Sequence, residues 1–184
     1  MDQIKFFSFE NVKPVLVEIA KFFEKAGIPY GFFAGTAAYF YGSTRDLDDI
    51  DVLTTKEGVE AFGKKFSSET KNKESAMFGS YGTKSIINGV DVEVTASLSI
   101  KKDGEKYLFD FDEKMTKNLK KIKMDGQELC LISAEDIVAF KSITQREGNG
   151  KFDLTDIKNI LDSTKIDQKS VQERLKMCGF SGNR

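Results

Sequence analysis

An acidic run leads directly into an apolar strand in the first third of the chain. Residues 45–51 read RDLDDID, and the two residues that follow are apolar. Alternate side chains of a strand point to the same face, so Asp49 and Asp51 project together while Ile50 and Val52 face the core. Two carboxylates this close repel each other unless a cation lies between them, and Mg²⁺ prefers oxygen ligands. The pattern predicts a buried strand that carries a metal-binding pair.

Two other interpretations of the acidic run are simpler or better known. A polar capping loop is the simpler one, but the run continues into an apolar strand, which argues against it. An EF-hand loop fits poorly, because the sixth position counted from Asp46 is Asp51, where that loop needs glycine. A metal-binding strand remains the more specific hypothesis.

A second strand offers a third carboxylate. The dipeptide Asn88-Gly89 separates two apolar segments and predicts a β-hairpin with a type I′ turn. On the second strand of this hairpin, Asp91 and Glu93 alternate with valines and therefore share one face. That face is either plain solvent-exposed surface or the far wall of the metal site, and the residues themselves favour neither.

Hydrophobic periodicity and turn residues define the remaining elements. Helices are predicted over 11–26, 56–66, 133–147, 153–163 and 167–178, with one or two helical turns over 37–41. Strands are predicted over 29–34 and 49–53, hairpins at the Asp-Gly pairs 103–104 and 125–126, and solvated surface over 64–75. The pattern indicates an α+β fold with a mixed sheet. A core of residues 1–132 and a small helical C-terminal part, 133–184, would pack as one compact domain.

Composition excludes several classes of catalyst and partner. The 184 residues include no histidine, so Ser–His–Asp and Cys–His mechanisms and imidazole zinc sites are excluded. The balance of 28 Lys+Arg against 29 Asp+Glu argues against a duplex-DNA binder. Cys130 and Cys178 are isolated, as in a reduced cytoplasmic protein. Neither a signal peptide nor a membrane span is expected, because no long apolar segment is present.

Two further segments contain candidate binding residues. Gly35 and Thr36 follow the first strand, and the N–H groups of such a turn suit a phosphate, although small residues there also serve packing alone. Lys141 shares the apolar side of its helix with Ile137, and a buried ammonium is costly unless it is paired. Lys141 therefore either extends outward to solvent or neutralises phosphate charge. Arg146, near the end of that helix, equally suits the helix dipole.

These segments together resemble the nucleotidyltransferase superfamily, which has the polymerase-beta-like fold. They look most similar to its AbiEii-type branch and to related prokaryotic proteins. That branch has a strand, a glycine turn, a short helix and then an Arg-x-Thr-x-Asp-x-Asp run. Here residues 33–38 read FAGTAA and 45–51 read RDLDDID, with Leu47 in place of the usual Thr or Ser. The branch also has a helical lysine, an arginine and a basic-Asp-x-x-Asp-Leu run, which Lys141, Arg146 and KFDLTDI at 151–157 match.

The resemblance implies a nucleotidyltransferase-like mixed sheet flanked by helices, and a two-metal reaction. The enzyme would move NMP from an NTP to a hydroxyl acceptor with Mg²⁺. Asp49 and Asp51 would bind the metal ions, and Glu93, preferred over Asp91, would be the third ligand and help to deprotonate the acceptor.

The resemblance also implies a set of residues that bind or organise the nucleotide phosphates. Gly35 and Thr36 would hold the β- and γ-phosphates, and Lys141 would neutralise their charge as a further catalytic residue. The complete nucleotide-binding set is Gly35, Thr36, Arg45, Lys141 and Asp153.

Three functional hypotheses follow for the acceptor and the setting. The leading hypothesis is transfer to RNA, protein or a small molecule. A second is a toxin–antitoxin or phage-defence component with tRNA or other RNA as acceptor and an antitoxin as partner. It rests on the branch resemblance and on lysines 114, 117, 120, 121 and 123, which are otherwise simply a solvated face. A third hypothesis is a catalytically inactive nucleotide-binding or interaction module, motivated by Leu47 and by the undecided third carboxylate.

Overall fold

The sheet is built around the two strands that carry the acidic residues. The computed structural model describes residues 5–180. Its main strands are β1 (Tyr30–Phe32), β2 (Ile50–Thr54), β3 (Lys71–Glu74), β4 (Phe78–Ile87), β5 (Val90–Lys102), β6 (Glu105–Phe109), β7 (Lys120–Met124) and β8 (Gln127–Leu131). The helices are α1 (Phe9–Ala26), α2 (Ala34–Phe40), α3 (Lys56–Lys65), α4 (Glu113–Lys117), α5 (Ala134–Thr144), α6 (Asp153–Ser163) and α7 (Gln168–Met177). Two short strands, β9 (Glu147–Gly148) and β10 (Lys151–Phe152), form a separate pair.

The eight strands form one mixed sheet in the order β3-β4-β5-β2-β1-β8-β7, with β6 paired to β5. β2 runs parallel to β5 and β1 runs parallel to β8, while the other neighbours are antiparallel. β2 therefore lies at the centre of the sheet, and its register places Asp51 opposite Glu93. The predicted α+β architecture with a mixed sheet flanked by helices is confirmed.

The three predicted hairpin turns are present. Asn88, Asp103 and Asp125 each adopt a positive φ of about 50°, and each is followed by a glycine that also has a positive φ. Positive φ at both central residues is the requirement of a type I′ turn. The hairpin at Asn88 is longer than the sequence suggests, because β5 continues past a bulge near Gly79 and Tyr81 of β4 to pair with β6.

The prediction that residues 64–75 are only solvated surface is wrong in part, because 71–74 form the edge strand β3. The alternation of apolar and polar residues is missing there, since an edge strand with exposed side chains needs no apolar face. Backbone pairing with β4 holds it in the sheet, and Lys71 and Lys73 carry the charge that protects such edges from further pairing.

The short helix α4 was not predicted, and the boundaries of the predicted helices agree with the sequence to within two residues except at two places. α2 begins at Ala34, three residues before the predicted start, so Gly35 and Thr36 lie in its first turn. α5 ends at Thr144, because Gln145 adopts a left-handed conformation with φ 50°. The predicted continuation to residue 147 is replaced by the β9–β10 pair. Thr55 and Ser133 cap α3 and α5 as predicted, each accepting a backbone N–H bond.

The core continues from the sheet into the C-terminal helices. Phe33 at the end of β1 packs against Phe140 of α5, with ring centroids 4.7 Å apart, and Phe109 of β6 packs against the same ring at 5.3 Å. The two cysteines are free thiols. Between residues 5 and 180, no helix is both long and apolar enough to cross a membrane. The expectation that no signal peptide is present rests partly on residues 1–4, which lie outside the described residues.

Candidate functional site

Three carboxylates converge at the centre of the sheet. Asp49 directly precedes β2, Asp51 lies within it, and Glu93 is the partner of Asp51 on β5. One carboxylate oxygen from each lies within 4.8 Å of the other two. Asp91 is exposed and does not belong to this group within residues 5–180. The structure therefore brings together three of the four predicted metal ligands, and we call Asp49, Asp51 and Glu93 the acidic triad.

The positive charge around the two aspartates of the acidic triad does not offset their burial and mutual repulsion. Burial, together with the charges of Asp49 and Glu93, raises the pKa of Asp51 well above its usual value. Burial and the charge of Asp48 raise the pKa of Asp49 to about 6. Burial also acts on Glu93, but its hydrogen bond with a neighbouring lysine and two lysine charges outweigh that effect and lower the pKa. The triad is thus a set of oxygen ligands that suits a divalent cation.

Local folding fixes the backbone of Asp51 on both sides. The Asp51 N–H donates to the Thr36 hydroxyl at 3.0 Å, and the Asp51 carbonyl accepts from the Phe33 N–H at 2.9 Å. Thr36 is fully buried, and its hydroxyl oxygen faces β2. The predicted contact of Thr36 with a phosphate thus remains a prediction, while the observed contact positions Asp51.

Gly35, in the first turn of α2, lies beside the Arg45 guanidinium. A Cβ atom on Gly35 would come within 2.9 Å of Arg45 Nη2, so the absence of a side chain allows this close approach. Arg45 Nε donates to Asp156 at 3.3 Å, and its guanidinium lies 4.5 Å from the ring centre of Phe152. Arg45 is therefore held between the turn at Gly35 and the start of α6.

Lys141 is buried and has two carboxylate partners, so it does not extend to solvent. Its Nζ lies 3.0 Å from Asp153 Oδ1 and 2.8 Å from Asp156 Oδ2. Asp153 also accepts from Thr144 Oγ1 at 2.6 Å and from Arg146 Nε at 2.8 Å. Burial alone would raise the pKa of Asp153, but the Arg146 hydrogen bond and the Lys141 charge overcome it and lower the pKa to about 2.

These groups line one cavity of about 350 Å³. The acidic triad lines it together with five cationic side chains. Several phenylalanines complete the lining, and Arg146 lies 5.1 Å from the ring centre of Phe78. One of the cations, Lys84, contacts Glu93. The other four, which we call the cationic wall, are Arg45, Lys141, Arg146 and Lys151.

Sequence reasoning missed several residues of this site. Asp156 is fully buried and accepts from Ser43, Arg45 and Lys141, yet no role follows from its motif position alone. Its spacing of three from Asp153 at the start of a helix was the available signal, since such residues share a face. Lys73 and Lys84 contact Glu93 from neighbouring strands, which only the sheet register shows.

Leu47 and the lysine segment are placed outside this cavity. Leu47 is buried, and its backbone bridges to Phe7, so the departure from the branch pattern fills the core. In the lysine segment, Lys114, Lys117 and Lys121 form ion pairs with Glu173, Glu113 and Glu128. This pairing favours the simpler interpretation of a solvated face.

No protein-family model and no curated protein matches this chain. Solved structures do match it. A proposed nucleotidyltransferase from Thermotoga maritima has a TM-score of 0.62 at 17% identity, covering 76% of this chain and 89% of that one. An antigenic nucleotidyltransferase-like protein from Paracoccidioides brasiliensis has a TM-score of 0.56 at 18% identity, covering 94% and 88%. The antibiotic-resistance factor ANT(2'')-Ia in complex with adenylyl-2''-tobramycin has a TM-score of 0.55 at 13% identity, covering 92% and 96%.

These similarities show the fold. Identities of 13–18% carry no specific activity across, but all three structures are nucleotidyltransferases or resemble them. The chain therefore has a nucleotidyltransferase-like fold. The finer resemblance to the AbiEii-type branch rests on the motifs in the sequence.

Proposed function

We propose that this chain is a Mg²⁺-dependent nucleotidyltransferase that moves NMP from an NTP to a hydroxyl acceptor. The observation that carries the proposal is the acidic triad, three carboxylates within 4.8 Å of one another on a nucleotidyltransferase-like fold. Within residues 5–180 neither aspartate forms an ion pair, and the net effect of their surroundings is a raised pKa. All three carboxylates offer oxygen atoms, so they fit a hard divalent cation. The family resemblance agrees with two such ions.

Each wall of the cavity would have its own part in the reaction. Asp49, Asp51 and Glu93 would hold the metal, which when bound supplies charge stabilisation at the transferring phosphoryl group. Arg45, Arg146 and Lys151 would neutralise the triphosphate. Lys141 already has two carboxylate partners, so its contacts favour positioning of Asp153 and Asp156 over direct binding.

The proposed reaction forms one bond and breaks one bond at the α-phosphorus of the NTP. The acceptor oxygen forms a bond to the α-phosphorus, and the bond from that phosphorus to the oxygen bridging the β-phosphorus breaks. The electron pair leaves with pyrophosphate, and the hydroxyl proton passes to a carboxylate oxygen, for which we propose Glu93.

A transfer assay with labelled NTPs tests the proposal. The chain is incubated with each NTP, Mg²⁺ and a panel of RNA, protein and small hydroxylated acceptors, and NTP binding is measured by calorimetry. We expect Mg²⁺-dependent binding and transfer that are lost in Asp49→Asn and Asp51→Asn but kept in Asp91→Asn. NTP binding that is absent, or unchanged in Asp51→Asn, would refute the proposal.

The same assay separates the alternatives. A catalytically inactive nucleotide-binding module would bind NTP without transfer to any acceptor. A toxin or defence component would transfer to RNA, and its expression would inhibit growth unless Asp51 is replaced by Ala. The motif resemblance supports this setting, including an antitoxin partner, but the paired lysines of residues 114–123 do not add to it. The two free cysteines support a cytoplasmic location.

A further inference from the structure

Two lysines outside the cationic wall contact the acidic triad. Lys73 on β3 lies 3.1 Å from Glu93 Oε1, and Lys84 on β4 lies 2.9 Å from Glu93 Oε2. Lys84 is the cross-strand neighbour of Glu93 in the β4–β5 register. Both oxygens of Glu93 are therefore engaged by ammonium groups that reach it from the outer strands of the sheet.

The cations of the cationic wall have carboxylate partners outside the triad. Arg45 contacts Asp156, Lys151 contacts Asp48, and Lys141 and Arg146 contact Asp153. Lys73 and Lys84 differ, because within residues 5–180 each forms its ion pair with Glu93 alone. The charge balance of Lys73 thus depends on Glu93, and that of Lys84 depends on Glu93 and also on the charges of Asp49 and Asp51.

Metal binding by Glu93 would leave the Lys73 ammonium undercompensated and would release Lys84 for another partner. A carboxylate that ligates a divalent cation shares its charge with that cation, so its attraction for a lysine falls. The Lys73 side chain is only about one-quarter exposed, so solvation replaces little of the lost interaction, whereas the Lys84 side chain is about two-thirds exposed and stays solvated. An anionic group on the incoming acceptor would restore the partner that each lysine loses.

The remaining carboxylates of the cavity argue against an ammonium-rich acceptor. Asp48 lies 3.4 Å from Lys151, and Asp153 is surrounded by Lys141, Arg146 and Thr144. Of the acidic groups that line the cavity in the described part of the chain, those outside the triad are therefore already paired. An aminoglycoside such as the tobramycin moiety bound to ANT(2'')-Ia would find no free carboxylate for its ammonium groups.

We propose that the acceptor hydroxyl belongs to a phosphate-bearing molecule whose phosphate is bound by Lys73 and Lys84. This inference rests on the proposed function and narrows the class of its acceptor. A sugar phosphate and an RNA strand both present this chemistry, as a phosphomonoester or a phosphodiester close to a free hydroxyl. Two ammonium groups that converge on one point suit either form of phosphate.

Equilibrium binding tests this inference separately from catalysis. The chain is first saturated with Mg²⁺ and a non-hydrolysable ATP analogue, and then titrated with ribose 5-phosphate, ribose, a short RNA oligonucleotide and tobramycin. We expect at least one phosphate-bearing probe to bind, and ribose and tobramycin not to bind. Binding of RNA alone identifies a polynucleotide acceptor, and binding of ribose 5-phosphate identifies a small one.

Matched variants identify the phosphate-binding residues. The double variant Lys73→Gln/Lys84→Gln should bind the phosphate-bearing probe with an affinity lower by about tenfold or more. Its affinity for the ATP analogue should be unchanged. Lys71→Gln is the control, because Lys71 lies on the same strand but pairs with Glu69. Unchanged affinity in the double variant, or binding of tobramycin in place of both phosphate probes, would overturn the inference. Failure of the ATP analogue itself to bind would instead count against the proposed function.

Discussion

At the scale of single residues, this site is defined by buried carboxylates whose ionised forms repel one another in the absence of a cation. The pKa of Asp51 is raised by its burial and by two neighbouring carboxylates, and that of Asp49 is raised to about 6. Thr36 keeps Asp51 in this arrangement by accepting its backbone N–H. Two predictions follow from these contacts, one for Thr36 and one for the titration of the aspartates.

Replacement of Thr36 by Val should destabilise the chain and weaken Mg²⁺ binding. Valine has nearly the same shape but cannot accept the Asp51 N–H, and an unsatisfied buried N–H costs about 1–3 kcal/mol. Urea unfolding measures the stability, and calorimetry measures the Mg²⁺ affinity. Thr36→Ser keeps the hydroxyl, so it should retain the affinity. The role assigned to Thr36 is wrong if the valine variant unfolds and binds Mg²⁺ as the wild type does.

Asp49 and Asp51 should make the metal-free chain lose stability, relative to an Asp49→Asn/Asp51→Asn variant, as the pH rises from about 4 to above 6. The folded pKa of Asp49 lies above its ordinary value of 3.8, so in this window Asp49 binds more protons in the folded state than in the unfolded state. Its contribution to the free energy of unfolding therefore falls with increasing pH, because the slope follows the difference in bound protons. Asp51 acts in the same direction.

Thermal denaturation in EDTA across pH 4–8 measures this effect. Asp49→Asn/Asp51→Asn is the control, and the wild type should lose stability relative to it as the pH rises. Added Mg²⁺ should restore the thermal stability of the wild type at pH 7.5 but not at pH 4.5, where protons compete with the metal for the carboxylate ligands. At a Mg²⁺ concentration of 100 times Kd, the stabilisation is about 2.7 kcal/mol. A wild type whose stability follows that of the variant at every pH would contradict the prediction.

At the scale of elements, the start of α6 joins the site to the helices behind it. Asp153 begins α6 and accepts from Lys141 and Thr144 of α5 and from Arg146 in the following segment. Asp156, one turn later, accepts from Ser43 and Arg45 ahead of β2. One helix end thus determines where both α5 and the acidic run lie.

Asp153→Ala should be strongly destabilising. It leaves the ammonium of Lys141 with one partner and removes the main partner of Arg146, and breaking a buried ion pair costs about 3–5 kcal/mol. Urea unfolding of the variant measures the loss. The matched control is Asp162→Ala at the other end of α6, where the carboxylate is exposed and pairs with Lys158, and there the stability should stay close to that of the wild type. Equal effects at both ends would contradict this prediction.

At the scale of the whole molecule, the C-terminal helices complete the core that supports the sheet. Phe140 of α5 packs against Phe33 and Phe109. Arg174 of α7 is buried and contacts Asp112 and Asp136, which lie on either side of the proposed division at residue 132. The core and the helical part therefore share one set of buried contacts.

A fragment of residues 1–132 should not fold as an independent unit. It would expose Phe33 and Phe109 to water, and it would leave Arg45 without its partner Asp156. We expect poorly dispersed amide signals in its NMR spectrum. The full chain should unfold in a single transition when followed by both fluorescence and circular dichroism. A well-dispersed spectrum of the fragment would show instead that the two parts fold separately.

The sequence by itself determined most of the elements and the main acidic pair. Periodicity defined the long helices, Asn-Gly and Asp-Gly pairs defined the hairpins, and alternation placed Asp49 and Asp51 on one face, because each of these signals depends on neighbours in the chain. Edge strand β3 was missed, since its pairing partner rather than its own residues holds it in the sheet.

Only the tertiary structure decided which distant groups meet. The parallel register of β2 and β5 placed Glu93 rather than Asp91 beside Asp51, and the sheet order brought Lys73 and Lys84 to Glu93. The packing of α6 buried Asp156 beside Arg45 and Lys141. Contacts of this kind depend on strand register and helix docking, which are set by the burial of the whole apolar core, so they cannot be read from a local pattern.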